Sequence, residues 1–353
     1  MDIEGILSAA SENGASDIHL VTGEPPVIRV DTGLVRLDQP VLEAKELNEL
    51  LATMLNDNQQ ATLDEQKDVD LSWATASCRY RVNVHIQSGT PAIAMRTVKT
   101  KIPPLDSLNL PPAIAPLAEL PRGLVLVTGD TGSGKSTTLA SLLQQINMTK
   151  SRHIITLEDP VEYVFNSECC LVEQRELGRD MPSFASGLKH ALRQDSDIIL
   201  VGEMRDHETF EAAIRAAETG HLVFGTIHAS SAWQIFGRIY DLFPENERPQ
   251  IRKLLAYNLR AIVYQKLLPT LHEDVARIPA LEILLDTPIV AKYVLEAREG
   301  ELLDVIKKSA EEGMIDFNSS LLKLVETERV SIKTAMEATP KPEELKMKLK
   351  GIA

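Results

Sequence analysis

An eight-residue run, Gly129-Asp130-Thr131-Gly132-Ser133-Gly134-Lys135-Ser136, sets glycines, a lysine and a hydroxyl in the order GxxxxGK[ST]. Those residue types at that spacing suit a triphosphate. Glycines let successive backbone N–H groups curl round phosphate oxygens, and a following helix adds the positive end of its dipole. Lys135 is expected to reach the β- and γ-phosphates, and the Ser136 hydroxyl to ligate Mg2+. The context fits, because the run lies between the apolar LVLVT (124–128) and the helix-forming TTLASLLQQI that begins at Thr137. The nucleotide-binding set is therefore Gly129, Asp130, Thr131, Gly132, Ser133, Gly134, Lys135, Ser136 and Thr137, with ATP as the ligand.

Two acidic clusters follow other apolar runs. Glu158-Asp159-Pro160-Val161-Glu162 comes after HIITL, and Gly202-Glu203 comes after DIILV. In a parallel sheet the strand C-terminal ends share one edge with the phosphate loop, so both clusters are expected to face the γ-phosphate. One carboxylate would hold Mg2+ through water and another would polarise the attacking water. Spacing alone leaves the roles open between them. His221 and His228 bracket LVFGTI and are candidates for sensing the γ-phosphate or coupling subunits.

The elements that would position these groups are legible as patterns. LVLVT, HIITL, DIILV and LVFGTI are short, rich in Val, Ile and Leu, and do not alternate, as strands buried on both faces of a parallel sheet do. The first hundred residues read as α+β. Val27–Val30 and Leu34–Leu37 flank Asp31-Thr32-Gly33 as a hairpin. Leu47, Leu50, Leu51, Met54 and Leu55 keep helical spacing, and Tyr80, Val82, Val84 and Ile86 alternate with Arg81, Asn83, His85 and Gln87. Six prolines between Ile102 and Arg122 suggest a stiff linker. The expected domains are 1–115, with the linker, and 116–353, ending in helices from about Leu302 to Lys350 broken at Gly313 and Pro340.

Composition narrows the partners. A net charge of −14 repels a phosphate backbone, so nucleic acid is not an expected partner and a nucleic-acid translocase is disfavoured. Three cysteines without a CxxC pair indicate neither a disulfide framework nor zinc. The N-terminal run shows no signal peptide and no apolar run is long enough to span a bilayer, so a cytoplasmic location is expected.

The segments GDTGSGKSTTLA (129–140), TLEDPVEY (156–163), LRQDSDIILVGEMRD (192–206) and AAETGHLVFGTIHASSA (216–232) together resemble the secretion ATPase superfamily. GASDIHL (14–20) and PRGLVLVTG (121–129) extend the resemblance over nearly the whole chain. Within the superfamily it is nearest the type IV pilus retraction (twitching-motility) branch, PilT/PilU. The resemblance implies an N-terminal α+β PAS-like domain, a RecA-like P-loop core of α/β class, and a homo-hexamer with ATP between subunits. It assigns Glu162 as general base, Glu158 as its support, and Glu203 as the Walker B carboxylate acting on Mg2+. His221 and His228 become the His-box histidines, and Arg81 and Arg96 the arginines brought to the nucleotide. Arg96 shares a period with Ala92, Ala94 and Val98, an odd place for a charge without a partner.

The function implied is ATP hydrolysis that retracts a pilus through an inner-membrane platform protein, with the motor peripheral at that membrane. The segment AKYVLEAREG (291–300) departs from the retraction pattern. It motivates an alternative: an accessory, weakly hydrolysing subunit that supports a second pilus ATPase.

Overall fold

The computed structural model describes residues 2–30, 33–75, 78–98, 101–272 and 275–351. Two compact units divide the chain: Met1–Lys101 with Glu162–Val164, and Ile102–Val161 with Phe165–Ala353.

The first unit is one sheet with helices on one face. Its strands are β1 (Asp17–Val21), β2 (Val27–Val30), β3 (Gly33–Arg36), β4 (Asp68–Ala74), β5 (Arg79–Gln87) and β6 (Thr90–Val98). They lie in the order β3-β2-β1-β6-β5-β4, with every neighbouring pair antiparallel. In β5, Tyr80, Val82 and Val84 enter the core while Arg81 is exposed, as the alternation requires. The helix Ala44–Met54 lays Leu47, Leu50, Leu51 and Met54 on the same core. Its Glu43 and Glu46 close a capping box over the first turn. The hairpin is tighter than its sequence suggests, because Gly33 already pairs with Val30 and belongs to β3. Asp31 and Thr32 of its loop lie outside the described residues.

The second unit carries β7 (Gly123–Thr128), β8 (His153–Glu158), β9 (Leu171–Glu176), β10 (Ile198–Val201), β11 (Leu222–Ile227), β12 (Leu259–Pro269) and β13 (Arg277–Leu285). The order is β13-β12-β7-β11-β10-β8-β9, parallel except where β13 returns against β12. Alternate residues of each central strand fall in two different cores. Leu124, Leu126, Ile199, Val201 and Val223 face one; Val125, Val127, Ile198, Leu200 and Phe224 face the other. Both faces are dry, which explains why these strands have no polar alternation.

The helix Lys135–Thr149 covers one face through Leu139, Leu142, Leu143 and Ile146. The proline-rich segment, expected as a stiff linker, packs there too: Ile114, Leu117 and Ala118 are buried against the strands. The compact units divide before it, between Lys101 and Ile102.

After β13 the described chain is helical, with breaks between Pro288–Leu295, Leu302–Lys308, Phe317–Glu326, Ile332–Ala338 and Pro342–Leu349. Two buried carboxylates fasten it. Glu282 on β13 is 3% exposed and accepts the Ala232 N–H at 2.7 Å, with further backbone bonds from Trp233 and Phe317. Asp316 caps the helix Phe317–Glu326 by accepting from the Ser319 N–H and hydroxyl, and Lys348 meets it at 3.1 Å.

Burial alone pushes the Asp316 carboxyl up, but the Ser319 hydroxyl bond and the Lys348 charge outweigh it and leave it below its usual value. Its contribution is therefore complete above the ordinary carboxylate range and is lost as pH falls through the depressed folded-state value. Asp316→Asn keeps an N-cap acceptor but is expected to lose about 2 kcal/mol at pH 7, from the unpaired Lys348. Urea unfolding at pH 7 and near pH 3 checks this, since the difference from wild type must shrink in acid.

Candidate active site

The phosphate loop, Glu158, Glu203 and His228 lie at the C-terminal edge of the second unit's sheet. β7 ends at Thr128, and the chain turns through Gly129–Gly134 into the helix that begins at Lys135. Gly129, Gly132 and Gly134 have φ of 142°, 76° and 86°, the left-handed range that side chains disfavour. At Gly129 a side chain is excluded twice over, since a Cβ would lie 2.2 Å from the Gln265 carbonyl oxygen. The Lys135 ammonium folds over the loop and donates to the Gly129 and Asp130 carbonyls at 2.9 Å each. Ser136 and Thr137 open the helix just behind it. The Thr128 hydroxyl ties the loop's root to Ala229, accepting its N–H at 2.8 Å. A cradle of backbone amides with a cation inside it results, at a helix N-terminus.

Glu203 follows β10 and is 20% exposed at the side chain. Its Oε1 lies 3.1 Å from His228 Nε2 and 2.5 Å from Arg205 Nε. His228 Nδ1 in turn meets the Gly129 carbonyl at 3.2 Å. A carbonyl only accepts, so Nδ1 carries the proton there, and Nε2 faces the Glu203 carboxylate. One imidazole thus spans the loop and a carboxylate. Gly202 makes room for this edge, because a Cβ on it would crowd the Leu157 carbonyl at 3.1 Å and Glu158 Cα at 3.3 Å.

Glu158, at the end of β8, is 9% exposed, and its Oε1 accepts the Thr156 hydroxyl at 2.6 Å and the Gln174 amide at 3.1 Å. Its register partner on β9 is Glu176, which accepts the Val161 N–H at 3.1 Å. Glu176 therefore anchors the stretch leading to Glu162. Glu162 itself is exposed and falls, with Tyr163 and Val164, in the first unit.

Not every expected residue joins this edge. His221 precedes β11, at the opposite end of the strand from His228, roughly 20 Å away by strand rise. Its Nδ1 faces the Ala216 carbonyl at 3.0 Å. Arg81 and Arg96 belong to the first unit, where they stand directly opposite each other on β5 and β6. Like charges in register repel. Asp17 relieves the pair, its Oδ1 lying 2.7 Å from Arg96 Nε, while the Arg96 side chain remains 70% exposed. Sequence reasoning missed Gln265, Glu176 and Glu282, polar residues inside strands for which spacing offers no signal.

Among the described residues no group of three or more His, Cys, Asp and Glu is placed to hold a metal on its own. No helix among them is long and apolar enough to cross a membrane.

A family model described as Type II/IV secretion system protein matches residues 1–330. The Pseudomonas aeruginosa "Type IV pilus retractation ATPase PilT" is 40% identical over 97% of this chain and 99% of its own length. "Type IV pilus ATPase PilU" of the same organism is 34% identical, over 99% and 92% respectively. Among solved structures, "Crystal Structure of the Pilus Retraction Motor PilT and Bound ADP" superposes with a TM-score of 0.90 at 42% identity, covering 98% of this chain and 99% of that one.

The bridge from Gly129 through His228 to Glu203 yields a direct expectation. Glu203→Gln keeps the shape but removes the charge that His228 and Arg205 face. Steady-state turnover is expected to fall by about 10² or more, the scale of a lost catalytic carboxylate, with ADP affinity within about threefold of wild type.

Proposed function

The chain belongs to the Type II/IV secretion system protein family, and we propose that it is the ATP-hydrolysing motor that retracts a type IV pilus. The observation that carries the reading is that the phosphate loop and its carboxylates sit in a chain matching a retraction ATPase over nearly all of both lengths. The fold is the RecA-like α/β core with a smaller α+β unit of PAS type before it.

Roles follow from chemistry. The amides of Gly129 to Gly134, with Lys135, hold the phosphates of ATP, and the dipole of the helix Lys135–Thr149 adds to their field. Glu162 takes the proton of the attacking water, with Glu158 held rigid behind it. Arg81 and Arg96 supply positive charge to the transferring phosphoryl group, a contribution of about 10³–10⁵ in rate. His228 links Glu203 to the loop, and His221 acts at the other end of β11. The Ser136 hydroxyl and the Glu203 carboxylate are hard oxygen donors that suit Mg2+, with water between carboxylate and metal; when bound, the ion neutralises β- and γ-phosphate charge.

The working assembly is a homo-hexamer at the cytoplasmic side of the inner membrane. It acts on a platform protein of the pilus machine and works alongside a second pilus ATPase. Hydrolysis strips pilin from the fibre base.

Lys135→Ala is expected to bring ATP turnover below about 1% of wild type with circular dichroism unchanged, because the loop loses its phosphate-neutralising cation. Retained turnover defeats the motor reading. In the host, loss of the gene should leave excess pili and abolish twitching; bald cells point to extension instead. The full-length similarity to PilU favours testing one further case. Nucleotide binding with negligible turnover, restored by adding a second pilus ATPase, marks the accessory subunit.

A further inference from the structure

Gln265 on β12 is 3% exposed and makes its contacts with the phosphate loop and the helix behind it. Its Nε2 donates to the Ser133 carbonyl at 2.7 Å, and its Oε1 accepts the Thr138 hydroxyl at 2.8 Å. The two partners fix the amide's orientation, since a carbonyl only accepts and the Thr138 hydroxyl supplies the proton on the other side. Two of the loop's glycines are shaped to the same residue. A Cβ at Gly129 would strike its carbonyl oxygen at 2.2 Å, and one at Gly134 would strike its Nε2 at 2.8 Å.

A trans peptide points its N–H opposite to its C=O. Turning the Ser133 carbonyl toward β12 therefore turns the Gly134 N–H away from β12. We propose that Gln265 is a positioning residue for triphosphate binding: its side chain holds the Ser133–Gly134 peptide so that the Gly134 amide faces the phosphates. The inference rests on the reading of 129–137 as the nucleotide site and adds a residue that the loop motif does not contain. Backbone amides carry no side chain with which to correct their aim, so a loop built on glycine needs this external hold.

Gln265→Glu is nearly isosteric and sets two acceptors against each other where a donor stood. It is expected to raise KM for ATP and Kd for ADP about tenfold or more, from the lost donor to a buried carbonyl. At saturating ATP, kcat stays within about threefold, because the reacting groups are untouched. Thr138→Val removes only the hydroxyl that orients the amide, and KM is expected to rise about threefold.

The split between KM and kcat separates positioning from mere support of the fold, which would lower the melting temperature and kcat together. Unchanged KM and Kd in folded Gln265→Glu overturn the proposal, as does unchanged KM in Thr138→Val if the first variant does not fold. Lys135→Ala runs in parallel. Full ADP affinity there sinks the nucleotide site itself, whereas affinity lost in Lys135→Ala but kept in both other variants sinks only the role of Gln265.

Discussion

The site depends on β7 being held from both sides. Its ladder to β11 runs from Gly123 paired with Leu222 to Thr128 paired with Ile227, and its ladder to β12 reaches Tyr264 opposite Thr128. A strand so placed cannot slide, because a slip of one residue would exchange Leu124 and Leu126 with Val125 and Val127 between two packed cores. The loop after Thr128 therefore starts from a fixed point, and its glycines spend their freedom on curvature alone.

Around that fixed point the chemistry is distributed by topology. Parallel strands bring Glu158, Glu203 and His228 to one edge from segments far apart in sequence. His228 contacts both the loop carbonyl of Gly129 and the Glu203 carboxylate. Displacement of the loop is thereby felt at a carboxylate through a single ring. The Glu203 carboxylate is 20% exposed and the His228 ring 46%, so water screens the pair only in part. The ion pairs of the outer helices, such as Lys333 with Glu337, are exposed and contribute little by comparison.

Much of this was legible from residue order. Four central strands were visible because burial on both faces demands continuous apolar runs, and the phosphate loop because its chemistry admits few residue types. The rest was hidden for physical reasons. β9 is an edge strand whose LVEQRE half faces water, so it looks like a loop. β12 and β13 have buried residues on both faces, yet they carry Gln265 and Glu282 inside the apolar run, and only tertiary contact explains them. The prolines between Ile102 and Arg122 suggest a stiff linker, while the apolar Ile114 and Leu117 among them pack onto the sheet. His221 and His228 look equivalent by distance from LVFGTI, but a strand has two ends and the loop lies at one of them.

Glu282 carries a wider consequence. Its carboxylate gathers backbone hydrogens from Ala232 and Trp233, just past His228, and from Phe317, at the start of a late helix. Burial pushes the Glu282 carboxyl above the usual carboxylate range, and a polar group this deep tolerates no missing donor, since an unpartnered one costs about 1–3 kcal/mol. The helical tail is thus joined to the segment after His228 by a buried hydrogen-bonded carboxyl as well as by the packing of Leu302, Leu321 and Leu345. A chain without the tail would leave the Glu282 carboxyl short of the Phe317 donor and the core beneath Phe317 and Leu321 open to water.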